Sequence, residues 1–282
     1  MPEGSVPVPT AIRLAIDRLR VGGVADSRRE ALRIWSDVTG DRWATALRQG
    51  EASDSGALLR FQQAIERRAR GEPLPYVTGT TGFRHLSLRS DQRALIPRPE
   101  TEGLVELLLE RLRTGVVADV GTGSGCLALS LALEGSFSYV VGIDRSRDAI
   151  ALARENSSSL RTGTRVDLVL GDLCRPLRRA AFDALISNPP YLTAEEHAAL
   201  DPSVREWEPA LALVGGLDGL EVTTRLLDEG REVLRPEGWL ALEIDCSRAG
   251  QSARAAAQRG WENVSIHQDL FGRERYLLAQ KE

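Results

Sequence analysis

From about residue 101 onward, short apolar runs alternate with amphipathic helical patterns, and this alternation constrains the fold more than any other feature of the chain. The strand candidates lie at residues 116–120, 139–144, 166–170, 182–187 and 239–244. Helical patterns separate most of them, at 101–112, 127–133, 147–156 and 220–234, and in the first of these Leu104, Leu107, Leu108 and Leu112 share one face. Near-continuous apolar strands linked by helices need cover on both faces, which predicts a doubly wound α/β fold with a mostly parallel sheet. The tail departs from this rule. Residues 264–267 and 275–279 oppose each other across 269–274 without a helix, which predicts an antiparallel hairpin closing one sheet edge.

Upstream, residues 10–72 read as helical. Ala11, Leu14, Ala15, Arg18 and Leu19 keep helical spacing, and Gly22-Gly23 stops the segment. Ser27 followed by Glu30 has the pattern of a capping box ahead of Ala31, Leu32, Ile34 and Trp35. Further helices are expected near 42–47 and 56–70. The basic cluster Arg67, Arg68 and Arg70 reads as a solvated helix end in preference to a contact surface. Pro73 and Pro75 then break helix, and Tyr76-Val77-Thr78-Gly79 and residues 83–88 predict short strands. The organisation expected is a small helical domain at 1–74, a β-hairpin linker at 75–100 and an α/β domain at 101–282.

A length of 282 residues suits one large domain with a smaller companion. No apolar run approaches the ~18 residues of a membrane span, and residues 1–9 lack the pattern of an export signal. Cys126, Cys174 and Cys246 lie far apart, which fits a reducing cytosol and neither a disulfide framework nor a metal site. The net charge of −4 disfavours nucleic acid as the main partner. His85, His197 and His267 are scattered and read as structural or exposed. Trp207 reads either as a cover for a substrate entrance or as a core residue.

Asp119-Val120-Gly121-Thr122-Gly123-Ser124-Gly125-Cys126 follows a strand and opens an apolar helix. Glycines at such a turn let the backbone approach a ligand closely, and a helix start offers unpaired N–H donors. Asp144 ends the next strand, where a carboxylate can accept the two hydroxyls of a ribose. A nucleoside-containing cofactor is implied. Dinucleotide sites want glycine or alanine where Cys126 stands, which leaves a nicotinamide cofactor as the weaker reading. The acidic residue followed by G-x-G-x-G resembles the motif of S-adenosylmethionine-dependent methyltransferases, and Asp119 would then lie near the methionine end. A further cofactor contact is expected at Asp172-Leu173, beside the adenine.

Asn188-Pro189-Pro190-Tyr191 follows the strand at 182–187, at the same carboxyl edge as the glycine turn. A planar NH2 is a weak nucleophile because its lone pair is delocalised. Two acceptors aimed at its two N–H bonds orient it and favour a pyramidal nitrogen. The Asn188 side-chain oxygen and the Pro189 carbonyl can serve, and the adjacent prolines hold that carbonyl's direction. Tyr191 would offer a flat face to the planar group. Catalysis would rest on orientation, with no general base, since the nitrogen formed on transfer is itself acidic. The candidate catalytic residues are Asn188, Pro189 and Tyr191. This chemistry suits an amide or an exocyclic base amine alike.

The blocks around these motifs narrow the choice. Residues 71–79, 95–102, 119–125 and 188–191 resemble the HemK/PrmC family of peptide chain release factor glutamine N(5)-methyltransferases, as do Glu208-Pro209-Ala210-Leu211, residues 215–220, Glu243-Ile244 and 269–275. The likeness spans nearly the whole chain. It implies a class I S-adenosylmethionine-dependent methyltransferase fold, with a seven-stranded, mostly parallel sheet and a small helical amino-terminal domain that recognises a class 1 release factor. The substrate would be the glutamine of the factor's Gly-Gly-Gln motif. By position, the cofactor would meet Gly121, Thr122, Gly123, Ser124, Gly125, Asp144, Leu173 and Asn188, and the glutamine would meet Asn188, Pro189, Pro190 and Tyr191. Two departures from the family's pattern stand out: Asp245-Cys246-Ser247-Arg248 replaces a glycine-containing loop, and Leu173 replaces a frequent aromatic residue. The expected setting is a cytoplasmic monomer with no nucleic-acid dependence and no membrane. A ribosomal-protein glutamine, a base amine, or an inactive cofactor-binding module are the other readings.

Overall fold

The computed structural model describes residues 6–49 and 56–282. The chain forms two compact units, Met1–Thr80 with Asp201–Trp207, and Thr81–Leu200 with Glu208–Glu282.

The smaller unit is helical: α1 (Val8–Val21), α2 (Ser27–Thr39), α3 (Trp43–Gln49), α4 (Ala57–Ala69) and α5 (Leu74–Thr78). Val8, Ile12, Ala15 and Leu19 of α1 meet Ile34 and Trp35 of α2 and Phe61 and Ile65 of α4 in one apolar core. Trp35 and Phe61 pack edge to face with ring centroids 5.1 Å apart, a geometry that adds about 1 kcal/mol to the burial itself. Three expectations need correction. The capping box at Ser27 does not form, because Ser27 is already inside the helix behind Asp26, and Glu30 pairs with Arg68 at 2.6 Å. The basic cluster is a solvated end only in part, with Arg67 and Arg70 exposed and Arg68 half-buried. Arg67 donates to Glu72 and to the Tyr76 carbonyl, and Arg68 joins α4 to α2. Residues 76–79 are not a strand, since Pro75 sits in the first turn of α5, where a missing N–H costs nothing. Trp207 belongs to this unit and lies beside Gly71.

The larger unit begins with a two-stranded hairpin, β1 (Thr80–Phe83) and β2 (Leu86–Arg89), turning at Arg84 with φ of 49°. The expected single strand at 83–88 is thus interrupted by a turn. Phe83, Leu86 and Leu88 bury into the core of this unit. There follow α6 (Pro99–Arg111), β3 (Thr114–Val120), α7 (Cys126–Glu134), β4 (Ser136–Asp144), α8 (Arg147–Ser158), β5 (Arg165–Leu170), β6 (Phe182–Ser187), α9 (Ala194–Ala198) and, in the smaller unit, α10 (Pro202–Arg205). Then come α11 (Glu221–Val233), β7 (Leu234–Glu243), α12 (Ala249–Gln258), β8 (Trp261–Gln268) and β9 (Glu274–Lys281). The α6 face toward the core is Thr101, Leu104, Val105, Leu108 and Leu109; Leu107 and Leu112 are only partly buried.

The sheet has seven strands in the order β5-β4-β3-β6-β7-β9-β8. The first five are parallel, and β9 runs antiparallel to both β7 and β8. Alternate residues of each strand feed opposite faces. Val117, Ala184 and Ala241 meet α6 and α7 on one side, and Ala118, Leu185 and Leu240 meet α11 and α12 on the other. The chain winds from β3 outward through β4 to β5, then returns to β6 on the far side of β3. That reversal leaves a crevice at the carboxyl ends of β3 and β6, where ligands bind in open α/β sheets.

Candidate active site

A cleft of approximately 1170 Å³, its open mouth included, occupies that crevice. One wall follows successive strand ends: Gly121, Thr122, Gly123 and Ser124 after β3, Asp144 after β4, Asp172 and Leu173 after β5, and Asn188 and Pro190 after β6. Arg93–Arg98 and Thr101 form part of the rest, with Pro209, Leu211 and Val214. The glycine turn and the Asn-Pro-Pro-Tyr segment therefore open on one cavity. Their strands pair directly, and the Ser187 hydroxyl donates to the Val120 carbonyl at 2.5 Å.

The glycine turn is held by the fold. Gly121 N and Thr122 N both donate to the Ile143 carbonyl at 2.8 Å, and Gly123 N donates to Asp144 Oδ2 at 2.9 Å. These leading N–H groups of the turn are therefore engaged; the expectation of free donors concerned the start of α7, where Ala128 N is taken by Asp119. Gly121 and Gly123 have φ of 77° and 55°, the left-handed region that glycine enters without strain. Gly125 is not in the cavity wall. It caps α7 at φ 87°, and a Cβ there would press on Leu129 and Ala153.

Asp119 lies behind the wall, fully buried. Its Oδ2 accepts from Thr122 Oγ1 at 2.6 Å and from Ala128 N at 3.0 Å, joining the turn to α7. Its Oδ1 has no partner among the described residues. Burial pushes this carboxyl up to about 7, against the pull of those two hydrogen bonds. Asp144 accepts from Ser146 N at 2.8 Å as well as from Gly123, and burial raises its pKa despite these donors. Asp172 lines the cleft, but its Oδ2 is held by Arg225 at 2.9 Å and Arg175 at 3.4 Å, and Arg225 keeps its pKa low. Leu173 has φ of 49°, a strained choice for a branched side chain that costs on the order of 1 kcal/mol. Cys126 lines the cleft with a thiol pushed up to about 12 by burial, an unreactive packing group.

Asn188 Nδ2 donates to Thr101 Oγ1 at 3.1 Å, and that hydroxyl donates to Glu243 Oε2 at 2.7 Å. Pro189 and Tyr191 lie outside the cavity wall. The Tyr191 ring, expected to face the substrate, is instead largely buried, and its hydroxyl donates to Glu243 Oε1 at 3.3 Å. Burial, reinforced by the Glu243 charge, pushes that phenol well above its usual range. Sequence reasoning missed two further groups. Thr101 and Glu243 are both 2% exposed; a carboxylate closing the apolar run of residues 239–244 was the available signal. Glu208, also buried, accepts from Ile96 N at 3.0 Å and from Arg98 at 2.5 Å, bracing the facing wall. No local pattern announces it. The divergent loop after Ile244 acts as a clamp, since Arg248 binds Asp245, Glu196 at 2.7 Å and the Asp218 carbonyl at 2.8 Å.

Comparison with known proteins agrees with this geometry. The methyltransferase small domain matches residues 100–205, and the PrmC N-terminal domain matches residues 10–79. The release factor glutamine methyltransferase of Moorella thermoacetica is 42% identical over 96% of this chain and 97% of its own length. That of Deinococcus radiodurans is 41% identical over 95% and 96% respectively. Among solved structures, a methyltransferase from Pyrococcus furiosus has a TM-score of 0.54 at 18% identity, covering 81% of this chain and 99% of that one, which is a likeness of fold. The fold is that of class I S-adenosylmethionine-dependent methyltransferases, as the sequence motifs implied, and the chain belongs to the release factor glutamine methyltransferase family.

Proposed function

We propose that the protein methylates the side-chain amide nitrogen of the glutamine in the Gly-Gly-Gln motif of class 1 peptide chain release factors, with S-adenosyl-L-methionine as donor. The observation that carries this is Asn188, which shares the cleft with the glycine turn while its NH2 is turned to Thr101. Its carboxamide oxygen is thereby left to accept a hydrogen bond from a second amide.

The cleft fits the cofactor. The unpartnered Asp119 Oδ1 lies in a buried carboxyl that a cationic ligand would stabilise as the anion. Gly121, Thr122, Gly123 and Ser124 would hold the methionine end, Asp144 the ribose, and Leu173 with Asp172 the adenine side. When bound, S-adenosylmethionine supplies a methyl group on a sulfonium.

The chain's own work is orientation. Asn188 Oδ1 accepts one N–H bond of the glutamine amide, drawing its lone pair out of conjugation and toward the donor; the Pro189 carbonyl, which lies outside the cavity wall, would have to turn toward the cleft to accept the second. Pro190 adds a rigid apolar surface to the wall. Alignment of this kind is worth on the order of 7–11 kcal/mol when complete. The nitrogen emerges positively charged and acidic and releases a proton to water, so the site needs no base. The reading also places the protein in the cytoplasm as a monomer independent of nucleic acid. Three free cysteines support the first part, and the net charge of −4 supports the last. No described helix is long and apolar enough to cross a membrane.

The test is incubation with methyl-labelled donor and purified release factors. Label is expected on the wild-type factor and not on one whose motif glutamine is alanine. Label on a ribosomal protein or on DNA, with none on the factor, would refute the proposal.

A further inference from the structure

A carboxamide has two ends of similar shape and opposite hydrogen-bonding character, and only one of them can help in this site. Turned one way, Asn188 offers an acceptor to an incoming NH2. Turned the other way it offers two N–H donors, which repel the same group. A lone asparagine at a strand end rotates between these states at little cost, so something must hold it.

The structure shows what holds it. Thr101 carries one hydroxyl proton, and it is spent on Glu243 Oε2 at 2.7 Å. The neighbour of Thr101 Oγ1 on its other side, 3.1 Å away, must therefore be a donor, and in Asn188 only Nδ2 can donate. The second oxygen of Glu243 accepts from Tyr191 at 3.3 Å. All three hydrogen bonds of this network run toward the Glu243 carboxylate. Its members come from distant parts of the sequence and are fixed independently. Ser187 pairs with Leu242, which sets Asn188 and Glu243 side by side at the ends of β6 and β7. The Tyr276 hydroxyl of β9 donates to the Glu100 carbonyl, anchoring the first turn of α6, and Glu243 pairs with Tyr276 across the β7–β9 ladder.

We propose that Thr101 and Glu243 are positioning residues that lock the Asn188 carboxamide with its oxygen toward the substrate nitrogen; this rests on the glutamine-methylating reading above. Neither touches the reacting atoms. The lock is built from hydrogen-bond direction, so it requires a hydroxyl at residue 101 and an acceptor at residue 243, and nothing else about those side chains.

Two pairs of variants test it. Thr101→Val keeps the shape and removes the hydroxyl; Thr101→Ser keeps the hydroxyl. Glu243→Leu removes the acceptor; Glu243→Gln retains one. Turnover of Thr101→Val and Glu243→Leu is expected to fall by up to about hundredfold to thousandfold, the scale for losing one transition-state hydrogen bond. KM for the release factor and donor affinity stay within about twofold, since Thr101→Val keeps the shape of the cleft wall and Glu243 lies outside it. Thr101→Ser and Glu243→Gln keep most of the turnover. Equal losses in both members of a pair would overturn the proposal, as would full turnover in Thr101→Val. A second readout needs no methyl transfer: the Asn188 side-chain NH2 protons, assigned by their loss in Asn188→Ala, are followed by NMR hydrogen exchange. Protection is expected in the wild type and Thr101→Ser and not in Thr101→Val. Absence of protection in the wild type would sink the lock whatever the activity. A protected amide in an enzyme that labels no release factor would instead refute the functional reading alone.

Discussion

Asp119→Asn should change how stability depends on pH more than it changes stability itself. Asp119 Oδ2 accepts both of the residue's hydrogen bonds, and Oδ1 accepts none among the described residues. Asparagine can therefore place its oxygen on Thr122 and Ala128 and its NH2 where Oδ1 was, keeping both bonds while removing the ionisable group. In the wild type the folded carboxyl titrates near 7, against 3.8 for a free aspartate. A folded pKa raised in this way means that the group's favourable contribution is complete below about 4 and is lost as pH rises through 7. The unfolded chain ionises over that window while the folded one resists. The full loss is on the order of 4 kcal/mol, at about 1.4 kcal/mol per tenfold change in acidity. Urea unfolding of the ligand-free wild type and variant at steps from pH 4 to 7.5 isolates the effect, because every carboxylate not coupled to Asp119, as Asp144 is, cancels in the difference. The wild type should lose about 4 kcal/mol relative to Asp119→Asn across the range. Parallel curves would show that Asp119 is already ionised in the folded chain and would refute the argument that its burial raises the pKa.

Asn188→Ala should abolish methyl transfer while equilibrium donor affinity stays within about threefold, since it removes the acceptor for the substrate amide and the bond to Thr101 but leaves the glycine turn, Asp144 and Leu173 in place; surviving transfer would reassign the residue's role. Glu208→Ala leaves the buried Ile96 N–H without a partner, a cost of about 1–3 kcal/mol, and should lower the melting temperature by several degrees and weaken donor binding together. Gly215→Ala places a Cβ 2.2 Å from the Pro190 carbonyl oxygen. Backbone cannot yield cheaply there, so the unfolding midpoint should drop by about 1–3 kcal/mol in stability, with turnover reduced in a folded sample.

The sheet was legible because its strands are apolar runs bounded by glycine or Asn-Pro, and β6 begins and ends where the pattern does. The cavity wall was legible for the same reason, as ligand residues in this topology follow strand ends. What stayed hidden depends on distance or on small energies. α5 is five residues long, too short for any periodicity to speak. The β1–β2 turn uses Arg84 in a left-handed conformation where glycine would have marked it. Thr101 and Glu243 are 142 positions apart, and only the completed sheet brings them to one another. The carboxylate of Glu30 was misread because its arginine partner arrives from elsewhere in the chain.

The glycine turn, with its leading donors bonded to Ile143 and Asp144, has a consequence for affinity. A loop already satisfied by its own scaffold keeps one shape whether or not a guest has arrived, so binding need not be spent on freezing the backbone. Recognition there becomes a matter of contour, with selectivity set by what the groove admits, and the ordering cost falls on the ligand alone.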